Sequence, residues 1–231
     1  MNTKFLRTAL VGAAMTVGMC ASAQYYEIAN QLPSLISPIL QGGVNYKGFV
    51  ELSGTAGIGD SRANFVGIST SQGFRYADWF FMGVGIGVDV AIARDQDRSQ
   101  IQPRDYGYND YPGYWDHSYS KTKCMIPVFT DFRFNIGGMQ NTSCFIDLKV
   151  GAAWLIGNSY LGLSNGACLN TDTQFYLKPT VGVRIPVNKQ NPNQAFNIGV
   201  TYQLLTSNNN YYWYDNGVTL SNIGVTVGYE W

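Results

Sequence analysis

Charge is scarce in this chain and histidine almost absent: 15 basic, 15 acidic and one imidazole side chain in 231 residues. Balanced charge of this kind leaves no basic footprint for nucleic acid. Long apolar runs are missing as well. Past the N-terminal leader none approaches the roughly 18 residues that a transmembrane helix needs. The lone histidine, His117, lies between Asp116 and Ser118 in one loop. A catalytic triad needs nucleophile, base and orienter converging from separate places. Three consecutive loop residues do not provide that, so no catalytic residue is assigned.

What is present begins with an address. Lys4 and Arg7 precede an apolar stretch from Leu10 to Met19, and Ala21-Ser22-Ala23 forms a small-residue cleavage site. This is the pattern of a secretory signal over residues 1–23, cut between Ala23 and Gln24. Lipoprotein processing at Cys20 is the rival, but Met19 occupies the position where a small residue is usual. Cleavage leaves 13 basic and 15 acidic side chains, with Cys124, Cys144 and Cys168. An odd number of cysteines leaves at least one unpaired. Cys124 and Cys168 both fall toward the outer rim, where a bridge is the alternative; three buried or lipid-facing thiols are the preferred reading.

The mature chain alternates. Residues 221–231 set Ile223, Val225, Val227, Tyr229 and the final Trp231 on one face, and Gly224, Thr226, Gly228 and Glu230 on the other. Period two puts successive side chains on opposite sides of a sheet. An apolar face ending in an aromatic suits the last strand of a transmembrane barrel, which the barrel-assembly machinery would engage. Seven further segments behave alike: 43–57, 62–76, 79–92, 122–136, 144–156, 173–187 and 195–206. The segment at 62–76 alternates least cleanly. Most are longer than the roughly 9–11 residues a tilted strand needs to cross a bilayer. Short turns at 77–78, 137–143 and 188–194 face longer connections at 93–121, 157–172 and 207–217, as in outer-membrane barrels.

The polar faces carry a balanced set: Lys47, Arg133, Lys149, Lys178 and Arg184 against Glu51, Asp89, Asp131, Asp147 and Glu230. On lipid, an Arg or Lys near the midplane costs about 2–4 kcal/mol. These faces are therefore expected inward, with Asp131–Arg133 and Asp147–Lys149 pairs, filling a bore that eight strands make barely wide enough for side chains. Residues 24–42 form a lead-in whose apolar spacing allows a short helix or a loosely ordered segment, Pro33 and Pro38 interrupting the stripe.

The strand segments NYKGFVEL (45–52), TSQGFRY (70–76), FFMGVGIGVD (80–89), IPVFTDFRFN (126–135) and DLKVGAAW (147–154) resemble the small outer-membrane β-barrel family abundant in Bacteroidetes, the porin-family or OmpA-like barrels. The likeness covers nearly the whole mature chain. It implies an outer-membrane barrel of mostly unknown function and marks no catalytic position.

Chemistry beyond the strands is confined to loops. Asp95, Asp97, Asp105, Asp110 and Asp116 match no calcium-loop spacing, so no metal or cofactor is assigned. Tyr106, Tyr108, Tyr111, Tyr114, Trp115 and Tyr119 crowd one loop, and Tyr211, Tyr212, Trp213 and Tyr214 another. Such aromatics offer large contact area at small entropic cost and suit a surface glycan or protein; the second group also suits an interfacial girdle. The sequence thus predicts an all-β protein: residues 43–231 as an eight-stranded antiparallel up-and-down barrel in outer-membrane lipid. Its expected role is structural or surface-interactive and non-enzymatic. A narrow channel for ions or small solutes and a rim-sited lipid-modifying enzyme are the alternatives, and a soluble β-sandwich or lipocalin-like barrel is the alternative fold.

Overall fold

The computed structural model describes residues 45–59, 61–93, 119–120, 122–137, 139–157, 160–163, 168–169, 173–188, 191–207, 210–211, 214–215 and 218–231. The leader, the lead-in and residues 94–118, including His117 and five of the loop aromatics, lie outside the described residues. In chain order the strands are β1 (Asn45–Ile58), β2 (Ala63–Ala77), β3 (Phe80–Ala93), β4 (Tyr119–Ser120), β5 (Thr122–Ile136), β6 (Ser143–Leu155), β7 (Tyr160–Gly162), β8 (Cys168–Leu169), β9 (Gln174–Asn188), β10 (Asn191–Ser207), β11 (Asn210–Tyr211), β12 (Tyr214–Asp215) and β13 (Val218–Glu230).

Eight of these close into a barrel in the order β1-β13-β10-β9-β6-β5-β3-β2. Every pairing around the ring is antiparallel. The closing seam runs from Phe49↔Glu230 to Ile58↔Ser221. Closure gives every edge a partner and so removes the exposed ladder that an open sheet would present.

Alternation explains the two surfaces. In β5, Lys123, Met125, Phe129, Asp131, Arg133 and Asn135 are buried, while Phe134 and Ile136 are exposed. The outer face is predominantly apolar; Val225, Val181 and Ile136 are 58–59 % exposed. The β2 segment falls into the same register, Phe65 and Ser71 inward, Val66 and Ile68 outward. Its weak alternation has a cause: Thr70 and Gln72 sit on the outer face. Their polar groups are bonded locally, Thr70 Oγ1 to the Phe49 carbonyl at 2.9 Å and Gln72 Nε2 to Thr70 Oγ1 at 2.8 Å. The Tyr46 hydroxyl donates to Gln72 Oε1.

Four prolines fall within strand bounds, Pro127, Pro179, Pro186 and Pro192, and two of them interrupt a ladder. The β3–β5 ladder is interrupted between Ile86↔Val128 and Asp89↔Met125, around Pro127. The β9–β10 ladder is interrupted between Thr201↔Thr180 and Leu204↔Leu177, around Pro179. Proline has no N–H to give.

The bore is divided. At the long-loop end it is apolar: Met125, Phe129, Leu155, Tyr176, Leu205 and Leu220 form one buried cluster. Leu161, Leu163 and Leu169 join it at 0 % exposure. These three come from the segment expected to be an open surface connection. That segment instead folds as β7 and β8, with β4 alongside in a three-stranded sheet. Burying three leucines stabilises the inward placement by about 1.5–3 kcal/mol each.

Glycines make room for the inward rings. A Cβ on Gly85 would lie 2.4 Å from Phe129 Cε2, and one on Gly151 would lie 2.0 Å from the Val128 carbonyl oxygen. The second obstacle is backbone and cannot swing away. Gly151→Ala is therefore expected to cost about 1–3 kcal/mol, read as a lowered urea midpoint of the barrel refolded in lipid vesicles.

Candidate functional site

The short-turn end of the bore holds the charges. All ten residues assigned inward are buried, from Glu51 at 5 % to Asp131, Arg133, Asp147 and Arg184 at 0 %. Alternation places them there: each lies on the face opposite the exposed valines and isoleucines of its own strand. An eleventh buried charge, Lys123, lies instead at the long-loop end beside Met125, 6 % exposed, its Nζ donating to the Ile156 carbonyl at 3.2 Å. Its place in phase with Met125 and Arg133 was the signal for it.

Two groups form. In the first, Glu51 of β1 accepts from Arg133 of β5 and Lys149 of β6, spanning the bore. Arg133 and Lys149 also reach Asp147 Oδ2, at 3.1 and 2.6 Å. The Arg133 guanidinium lies 4.1 Å from the Phe49 ring centroid and 4.7 Å from that of Phe145. A cation between two ring faces is held by their quadrupoles as well as by its carboxylates. In the second group Glu230 Oε1 accepts from Arg184 Nε at 2.7 Å and Lys47 Nζ at 3.1 Å. Arg184 Nη1 donates to the Met139 carbonyl at 2.9 Å, drawing the β5–β6 turn under the bore.

Between these groups and the apolar plug, Lys178 donates to Ser53 Oγ at 2.7 Å and Gln203 Nε2 to Asp89 Oδ2 at 3.3 Å. The expected Asp131–Arg133 pair is not made. Arg133 turns to Glu51 and Asp147, and neither Asp131 oxygen accepts a hydrogen bond from the protein. The Asp147–Lys149 contact does form, at 2.6 Å.

On the outer face, Ile223, Val225 and Val227 are exposed, and Tyr229 stacks on Trp231 at 6.3 Å. Trp231 exchanges backbone hydrogen bonds with Gly48, and its ring covers that residue so closely that a Cβ there would lie 2.4 Å from Cζ2. Trp231 thus extends the β1–β13 seam to Gly48. At the β2–β3 turn Trp79, Phe80 and Phe134 form an aromatic cluster, with centroids 5.2–6.2 Å apart.

Among the described residues no three His, Cys, Asp or Glu side chains gather to hold a metal ion. Cys124 is a free thiol, so it does not bridge to Cys168; Cys144 is also free, on the outer face. Of the loop aromatics, Tyr211 and Tyr214 pair through their backbones in the β11–β12 hairpin. The side chains of all the loop aromatics lie outside the described residues.

No protein-family model matches the sequence, and no curated protein matches it. Solved structures do. Neisserial surface protein A (NspA) is 10 % identical, with 81 % of this chain and 97 % of that one covered and a TM-score of 0.50. The outer membrane enzyme PagL is 12 % identical over 77 % of this chain and 97 % of that one, with a TM-score of 0.47. The N-terminal β-barrel domain of Pseudomonas aeruginosa OprF is 10 % identical over 80 % of this chain and 97 % of that one, with a TM-score of 0.39. At such identities the likeness to NspA is one of fold, and that fold is the closed eight-stranded antiparallel β-barrel.

Proposed function

We propose that this chain is an integral barrel of a bacterial outer membrane, exported by residues 1–23 and cleaved between Ala23 and Gln24, with a structural or surface-interaction role. One observation carries the reading: the barrel is apolar outside and filled inside. The outer face, with Val200, Val225 and Ile198 more than half exposed, fits hydrocarbon and not water. The filled bore, ion-paired at one end and leucine-plugged at the other, supports a protein that conducts nothing and acts through its loops. The aromatics of residues 106–119 and 211–214 are then the recognition surface, for a glycan or a protein. The strand from Ile223 to Trp231, apolar outside and aromatic at its end, is the segment that the assembly machinery would engage.

Planar-bilayer recording tests this directly. The refolded barrel, which must first shift on a semi-native gel when boiled, is expected to give no conductance steps. Regular steps would overturn the filled-bore reading and make the chain a narrow channel.

A further inference from the structure

One corner of the bore holds buried donors and buried acceptors that the protein leaves unpaired. The β5–β6 ladder sets Asp131 opposite Lys149 and Arg133 opposite Asp147, with Asn135 one inward step further toward the short turn. Asp131, Arg133 and Asp147 are 0 % exposed and Asn135 is 7 % exposed. Lys149 donates to Glu51 and Asp147. Arg133 donates to the same two carboxylates, in both cases through Nη2. Its Nε and Nη1 have no partner, nor do Asp131 Oδ1 and Oδ2, Asp147 Oδ1 and Asn135 Oδ1. A single buried polar atom left unpaired costs about 1–3 kcal/mol. Arg133 does not supply the missing bonds itself. Its guanidinium lies between Phe49 and Phe145, 4.1 and 4.7 Å from the ring centroids. The N–H groups of a guanidinium form a rigid planar fork, so turning Nε and Nη1 to Asp131 would disturb both Nη2 bonds.

The unpaired atoms select the ligand. A metal ion would suit the oxygens but meet the Arg133 N–H groups. An anion would suit the N–H groups but meet two carboxylates. Water both donates and accepts, and a buried water typically makes about three hydrogen bonds to groups otherwise unsatisfied. We propose that this corner is a binding site for ordered water, which accepts from Arg133 and donates to Asp131. It joins a cation and a carboxylate that make no hydrogen bond to each other. The site continues toward the short-turn end, where Ser143 Oγ is also buried and unpartnered. In the other direction Phe129 and Met125 of β5 and Ala153 and Leu155 of β6 close it with buried apolar groups. The charged half of the bore thus holds bound water, and the leucine-plugged half is dry.

Nuclear magnetic resonance of the isotope-labelled barrel in detergent tests the site. The Arg133 Nε–H is expected to give a rotating-frame cross-relaxation peak with water, opposite in sign to a chemical-exchange peak. The backbone amides of Met125 and Leu205 are expected to give none, and a peak there overturns the dry half. Asp131→Leu removes both acceptor oxygens and puts apolar atoms in their place, so the Arg133 peak is expected to vanish. Lys149 keeps its ammonium in this variant, and a peak relayed through that group would persist. Persistence therefore overturns the proposal. Absence of the peak from the wild-type protein overturns it too, and leaves Arg133 to a direct contact. Where the variant fails to fold, water-oxygen relaxation dispersion of the wild-type barrel decides. Long-lived internal water gives a dispersion step, and a flat profile overturns the site.

Discussion

Glu51→Ala is expected to destabilise the barrel by about 3–5 kcal/mol, the cost of breaking a buried ion pair from one side. Glu51 holds both Arg133 and Lys149, and their side chains are 0 % and 1 % exposed. Without it, Asp147 is left as the one carboxylate bonded to the two cations among the described residues. Neither cation reaches bulk solvent, and Arg133 is fixed between Phe49 and Phe145. Glu51→Gln keeps the shape and two polar atoms, so it is expected to cost less than the alanine change while still losing the charge. Urea titration of the barrel in lipid vesicles measures both. The size decides what the bore contains: a solvated lumen would screen these pairs, and the loss would then fall below about 1 kcal/mol.

The second large effect is expected on the opposite face. Val225 lies near the middle of β13, 58 % exposed, between Ile223 and Val227 on the same face. Val225→Arg is expected to cost about 2–4 kcal/mol in vesicles, because the guanidinium would lie near the bilayer midplane. In a barrel surrounded by water the same change would fall within about 0.5 kcal/mol, as exposed substitutions usually do. The variant therefore measures the solvent of the outer face. A near-zero result would sink the membrane reading and leave the exposed valines and isoleucines in need of another cover.

Much of the architecture was legible because period two is local. Phe134 and Ile136 point out and Arg133 and Asn135 point in for a reason contained in β5, and the same holds on the other seven barrel strands. Boundaries drifted where alternation fades. β13 begins at Val218, not Ser221, and β10 at Asn191, not Ala195. The β9–β10 turn is correspondingly tighter, with an irregularity between Asn191 and Ala195. Lys123 was missed although its phase with Arg133 was available.

By itself the sequence determined eight strands, which face of each is apolar, and which charges must avoid lipid. Only the tertiary structure decided who meets whom. Glu51 and Arg133 are 82 residues apart, and closing the ring brings them together across the bore. Thr70 and Gln72 tolerate the outer face because the Phe49 carbonyl and Tyr46 of the adjacent strand satisfy them. Leu161, Leu163 and Leu169 lie in a segment too short and broken to read as a strand, yet they fill the bore's end once Met125, Leu205 and Leu220 surround an apolar space. Side-chain direction is set by local backbone geometry, and the period reveals it. Partners and cavities depend on ring closure, which no local segment contains.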